Sequence, residues 1–127
     1  MKNPNDGFIR GRLRSMKFAL RGIWLLLTTE DSIKAQFFVA IIAIIAGFYF
    51  DISTTEWMIQ LLVIGLVLVA EAANTAVEKV ADFIHPDYHK KIGFIKDIAA
   101  GAPAIAALIS LIIACIIYIP KISILVS

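Results

Sequence analysis

Three long uncharged runs, each closed by charged or turn-forming residues, divide this chain. The first is Ala35–Phe50, sixteen residues between Lys34 and Asp51. The second runs uncharged from Trp57 to Ala70 and continues with helical periodicity through Glu71. The third is Ile98–Ile119, twenty-two residues between Asp97 and a predicted stop at Pro120-Lys121. At 1.5 Å per residue the third spans about 33 Å, enough for a hydrocarbon core of about 30 Å. The first needs a turn from its flanks to span. The second needs residues past Glu71, so its end carries carboxylates at or inside the membrane boundary. Ahead of them, Phe8–Leu27 sets Arg10, Arg14, Lys17 and Arg21 at helical spacing among Phe18, Leu20, Ile23 and Trp24. That is a basic amphipathic helix suited to an anionic membrane surface. Asp51-Ile-Ser-Thr-Thr-Glu56 reads as the first loop, and His85-Pro86-Asp87 breaks the second helix. The pattern predicts one domain over residues 1–127, an all-α membrane protein with three transmembrane helices and an N-terminal amphipathic surface helix. The surface helix is expected over about 8–27 and the spans over about 32–50, 56–84 and 94–119.

Composition narrows the class. Hydrophobic residues make up 60% of the 127, charged residues only 17%, and mean hydropathy is +0.85. With glycine the apolar share reaches about 65%, against about 45–50% in an average soluble domain. A 14.0 kDa globule has too much surface to keep so many apolar side chains from water. An ordinary soluble domain and a disordered chain are excluded, and no nucleic-acid partner is expected. The lone cysteine, Cys115, lies in an apolar run and allows neither an intrachain disulfide nor a cysteine-based metal site. The apolar stretch Ile23–Leu27 is too short for a signal peptide, and no small-residue cleavage site follows it.

The net charge of +2 conceals a strong asymmetry. Lys2, Arg10, Arg12, Arg14, Lys17 and Arg21 stand against Asp6 in the first 21 residues, a balance of +5. The loop Asp51–Glu56 has no lysine or arginine, whereas His85–Lys96 has Lys90, Lys91 and Lys96. The positive-inside rule therefore places the N-terminus and the second loop in the cytoplasm, and the first loop and C-terminus outside.

Candidate chemistry is concentrated on the second span. Glu71, Asn74, Glu78 and Asp82 are spaced 3, 4 and 4. At 100° per residue they fall at about 0°, −60°, −20° and +20°, with Thr75 at about +40°, one stripe over about 16 Å of helix. The opposite side carries Ala72, Ala73, Ala76, Val77, Val80 and Ala81, small enough for close helix approach. Carboxylates at a membrane boundary need a cation, a partner or water. Hard divalent cations such as Mg²⁺ take carboxylate oxygens and keep water and phosphate oxygens as further ligands. Glu71 and Glu78 are about 10.5 Å apart along the axis, too far for one ion to take both, so they are expected to serve different tasks. Three antiparallel spans bring Glu30-Asp31 and Lys96-Asp97 to the same membrane level as the stripe. Lys96 is suited to neutralising phosphate, and Asp97 to capping the third helix or contacting a ligand. Nucleotide-binding glycine loops are absent from the sequence. His85 and His89 are four apart, but Pro86 between them argues against a helical zinc pair.

The run Glu71-Ala-Ala-Asn74-Thr-Ala-Val-Glu78-Lys-Val-Ala-Asp82, then Tyr88-His89, then Lys96-Asp97-Ile-Ala-Ala-Gly101-Ala, resembles the signature of the prokaryotic diacylglycerol kinase family, to which undecaprenol kinases also belong. The likeness extends back through Glu30 and the basic arm. It implies a small three-span enzyme of the bacterial inner membrane, working as a homotrimer, that transfers the γ-phosphoryl group of ATP to the hydroxyl of a membrane lipid. By position, the resemblance makes Glu71 the general base. It gives Glu30 and Glu78 to Mg²⁺ and through it to ATP, and puts Asp87, Tyr88, His89, Lys96 and Asp97 in the nucleotide site. Asn74 and Ala100 fall with Glu71 at the lipid substrate.

Three positions depart from the family pattern. Ile33-Lys34 replace an aromatic-basic pair, Phe18 stands where some members have tyrosine, and Pro103 removes one backbone hydrogen bond from span three. Ala99-Ala100-Gly101-Ala102 resembles undecaprenol kinases more than the Gram-negative diacylglycerol kinases and favours a polyprenol substrate. Two other classes compete: a small proton-coupled transporter using Glu71, and a membrane adaptor without catalysis. A carrier needs polar residues along several spans, and spans one and three offer only Gln36, Tyr49, Ser110 and Tyr118. An adaptor gives no reason for the stripe and Lys96-Asp97 together.

Overall fold

The chain folds, in a computed structural model that describes residues 1 and 3–127, into α1 (Phe8–Thr29), α2 (Asp31–Tyr49), α3 (Thr54–Ile84) and α4 (Lys90–Val126). The last three are long and apolar enough to cross a membrane. The protein is an all-α membrane protein with an N-terminal helix ahead of three spanning ones.

Local chemistry sets each boundary. At the end of α1 the hydroxyls of Thr28 and Thr29 donate back to Trp24 O and Leu25 O at 2.8 and 2.6 Å, a competition that weakens helix continuation. Glu30 then takes an extended conformation (φ −106°, ψ 114°) and serves as both the last cap of α1 and the first cap of α2. The α2–α3 turn uses Asp51 at φ 49°, a left-handed conformation that a short polar side chain tolerates. Ser53 accepts from Glu56 N–H at 3.1 Å and Glu56 accepts from Ser53 N–H at 3.0 Å, a complete capping box. Glu56, expected at the boundary between the first loop and the second span, is therefore in the first turn of α3. Buried Ile52 and half-buried Trp57 occupy the two positions of a hydrophobic staple around that cap.

Two expectations about the third span are corrected. The α4 helix begins at Lys90, capped by the His89 ring, whose Nδ1 accepts from Lys91 N–H at 3.1 Å. Asp97 thus lies in the second turn and caps nothing. Nor is Pro120-Lys121 a stop, because α4 runs through Pro103 and Pro120 to Val126. Each proline forfeits one hydrogen bond. Beyond Pro120, Lys121 pairs with Glu56 at 2.9 Å and ties the continuation to α3.

The helices α3 and α4 form the main packed pair, α2 lies on α3, and α1 touches α2. Small residues line the contacts, with Ala40, Gly47, Ala81 and Ala106 buried, as close approach of spanning helices requires. A Cβ at Gly47 would stand 2.7 Å from the Trp57 ring, so only glycine fits there. Buried Gln60 joins all three spans. Its Nε2 donates to Ala43 O at 3.2 Å, and its Oε1 accepts from the Tyr118 hydroxyl. Among the described residues no large side chain is fully buried. The outer faces of α2, α3 and α4 expose Phe38, Ile45, Leu62, Leu108 and Ile116, which suits lipid or a neighbouring protein rather than water.

Candidate active site on the third helix

The stripe on α3 crosses the edge of the hydrocarbon zone. Counted from Thr54 at 1.5 Å per residue, Glu71 stands about 26 Å along the helix, Asn74 about 30 Å, Glu78 about 36 Å and Asp82 about 42 Å. A core of about 30 Å therefore ends near Asn74. Glu71 falls on its inner side, and Glu78 and Asp82 fall beyond it.

Burial follows the same gradient. Glu71 and Asn74 are half-buried, Thr75 is buried, and Glu78 and Asp82 are exposed. Asn74 Nδ2 lies 3.3 Å from Glu78 Oε1. A carboxylate can only accept, so the amide nitrogen must face it. That leaves Asn74 Oδ1 buried and without a hydrogen-bond partner, an arrangement that costs free energy unless a donor arrives.

Glu30 reaches the stripe from the α1–α2 break. Its Oε1 receives Lys79 Nζ at 3.2 Å, with the Thr29 hydroxyl oxygen also 3.2 Å away, and its side chain is only 19% exposed. Since Lys79 follows Glu78 directly, this pair brings Glu30 to the α3 turn that carries Glu78. From α4, Lys96 makes an ion pair with Asp82. Expected to face phosphate, it is held by a carboxylate of the stripe. Asp97 is exposed on α4.

The α3–α4 connection supplies aromatic and imidazole groups. His85 and His89 meet edge to face with ring centroids 5.2 Å apart despite Pro86 between them. Their Nδ1 atoms are engaged locally, His85 with Asp87 O at 2.8 Å and His89 with Lys91 N–H. Asp87 and Tyr88 are exposed, Tyr88 at 91%. Ala100 lies exposed on α4, next to Gly101, whose surroundings are open. An apolar hollow of about 320 Å³, lined by Ala76, Val77, Val80, Ile84, Ile92 and Ile95, opens on the side of α3 away from the stripe.

The structure thus brings Glu30 to the Glu78 turn and Lys96 to Asp82, while Tyr88, Asp97 and Ala100 stand apart as exposed residues. Among the described residues no three acidic, histidine or cysteine side chains converge as a metal cage. The donors are nonetheless right for a hard divalent cation that keeps water and phosphate as its other ligands: the Glu30 carboxylate reaches Lys79, the residue after Glu78, and already attracts a cation there. Sequence reasoning missed Lys79, Thr29 and Gln60. Lys79 sits at about 80° from Glu71, on the flank of the stripe, and its proximity to Glu30 depends on the sharp break between α1 and α2.

A family model described as prokaryotic diacylglycerol kinase matches residues 17–118. The undecaprenol kinase of Bacillus subtilis is 39% identical over 85% of this chain and 88% of its own length. The diacylglycerol kinase of Escherichia coli K12 is 25% identical over 92% of this chain and 95% of its own length. A diacylglycerol kinase of Synechocystis is 28% identical over 90% of this chain and 66% of its own.

Proposed function

The chain belongs to the prokaryotic diacylglycerol kinase family and is a membrane lipid kinase; from that premise we propose that it phosphorylates a polyprenol, undecaprenol, with Mg²⁺ and ATP at the cytoplasmic face. The observation that carries the chemistry is the stripe itself. A half-buried carboxylate, Glu71, lies one helical turn inside a buried amide oxygen that lacks a donor, with an acidic turn beyond it on the aqueous side.

A lipid hydroxyl entering from the bilayer meets Asn74 Oδ1 and Glu71 in that zone. Asn74 Oδ1 accepts from the hydroxyl as it docks; the single hydrogen then turns to Glu71, which removes it as the oxygen attacks the γ-phosphorus. The new oxygen–phosphorus bond forms as the bond to the ADP oxygen breaks, leaving lipid phosphate, ADP and a proton on Glu71. Glu30 and Glu78 would hold Mg²⁺, which supplies charge neutralisation on the phosphates when bound. The rest of the work is positioning, as phosphoryl transfer requires. Lys96 exchanges Asp82 for phosphate, while Asp87, Tyr88, His89 and Asp97 border the nucleotide.

Undecaprenol is favoured over diacylglycerol by the Ala99–Ala102 run and by the name of the 39%-identical relative. A homotrimer is what the family resemblance implies, and the uncovered apolar faces of one copy leave room for neighbouring copies as well as lipid. The N-terminus and the α3–α4 connection face the cytoplasm in this arrangement, and the C-terminus faces out. Purified protein in mixed micelles with γ-labelled ATP and Mg²⁺ tests the function directly. Label should pass to undecaprenol in preference to diacylglycerol. Label on neither lipid would contradict the kinase assignment, and a preference for diacylglycerol would overturn the choice of polyprenol.

A further inference from the structure

The pair between Glu30 and Lys79 has two unequal members. Glu30 is 19% exposed and anchored where α1 meets α2, with the Thr29 hydroxyl 3.2 Å from the same oxygen. Lys79 is 69% exposed and carries its charge on a flexible four-carbon stem. A poorly solvated carboxylate requires a cation, and here an ammonium supplies it from a mobile arm. Lys79 is also the neighbour of Glu78, so it borders any ion shared by the two acids.

We propose that Lys79 is a place-holding cation that makes the Glu30–Glu78 turn accept a divalent metal together with polyphosphate and resist the metal alone. The inference rests on Glu30 and Glu78 as metal ligands. In the unloaded protein Lys79 neutralises Glu30. A bare divalent ion entering the turn must displace an ammonium that then remains close to it, and two cations face each other beside Glu30. The turn carries two negative charges and one positive, so the bare metal leaves it with a net positive charge. When the metal arrives with a triphosphate, the displaced ammonium finds a phosphate oxygen as its new partner. Lys79 becomes a positioning residue for the nucleotide, and the exchange couples occupancy of Glu30 to its presence. No bond is made or broken in this exchange.

Electron paramagnetic resonance of Mn²⁺ tests this with the full chain in detergent micelles. Titrations are run with Mn²⁺ alone and with Mn²⁺ plus a non-hydrolysable ATP analogue, for wild type, Lys79→Met, Lys79→Arg and Glu30→Gln. Lys79 is exposed, so the fold should tolerate these changes. Lys79→Met should bind free Mn²⁺ roughly five- to tenfold more tightly, since the lost charge is worth about an exposed ion pair or somewhat more. It should bind the Mn²⁺–analogue complex more weakly, and Lys79→Arg should restore both affinities toward wild type. Unchanged affinities in Lys79→Met, with Glu30→Gln impaired for the complex, would overturn the place-holder alone. Wild-type affinity for the complex in Glu30→Gln would overturn the metal reading of Glu30 and the place-holder with it.

Discussion

Glu71 and Glu78 share one face of α3 and meet different surroundings within two turns. That difference assigns them different work. Glu78 is exposed and tied to Asn74, so Glu78→Ala should weaken Mg·ATP binding about tenfold or more, read by nucleotide titration. Asn74→Ala removes the partnerless acceptor. It should lower kcat/KM for the lipid about tenfold while the Kd for Mg·ATP changes less than about threefold. The stripe was legible in the sequence because a 3-4-4 spacing maps onto one helix face without tertiary information. The Lys79–Glu30 pair was not, since it joins residues 49 positions apart across a chain break in helicity. Asn74's orphaned oxygen was equally hidden, because only the packed structure decides which amide atom faces Glu78.

Helix existence was readable from apolar runs, and the ends of α1, α2 and α3 to within two residues; both ends of α4 were not. Ser53 and Glu56 carry a capping-box spacing that extends α3 upstream of the apolar run. His89, an uncommon cap, starts α4 well ahead of Asp97. Pro120 looks like a terminator in one dimension, yet Lys121 anchors the following turn to Glu56. The caps make specific predictions. His89→Ala should cost about 1 kcal/mol in the first turn of α4. The amides of Lys91 and Ile92 should then exchange hydrogen faster, whereas His89→Asn should keep their protection. Gly47→Ala drives a methyl group into the Trp57 ring. Overpacking of this kind costs about 1–3 kcal/mol, and thermal denaturation in micelles should report it as a lowered Tm.

Across the molecule the charges divide by membrane side. Of the 22 charged residues, only Asp51, Glu56 and Lys121 belong to the end with the α2–α3 turn. The remainder gather around α1, the Glu30 break, the stripe and the start of α4, where phosphate chemistry would take place. That end should face the cytoplasm. With Cys115 replaced by alanine, a cysteine at Asp87 should react with an impermeant thiol reagent in inside-out vesicles, and one at Ser127 in spheroplasts. The reverse pattern would invert the topology. Opposite the charged end, Gln60, Tyr118 and Ala43 clamp the three spans, giving the active end a fixed register to work from. Glu71 joins the two ends of this arrangement, as the innermost acid of the stripe and the first that a lipid hydroxyl would meet. The most direct measurement is single-turnover phosphoryl transfer by Glu71→Gln, with Mg·ATP affinity determined on the same sample. Transfer to lipid should fall about 10²–10⁴-fold, the range for loss of a general base, with Mg·ATP affinity close to wild type. Transfer at the wild-type rate would contradict the role of Glu71.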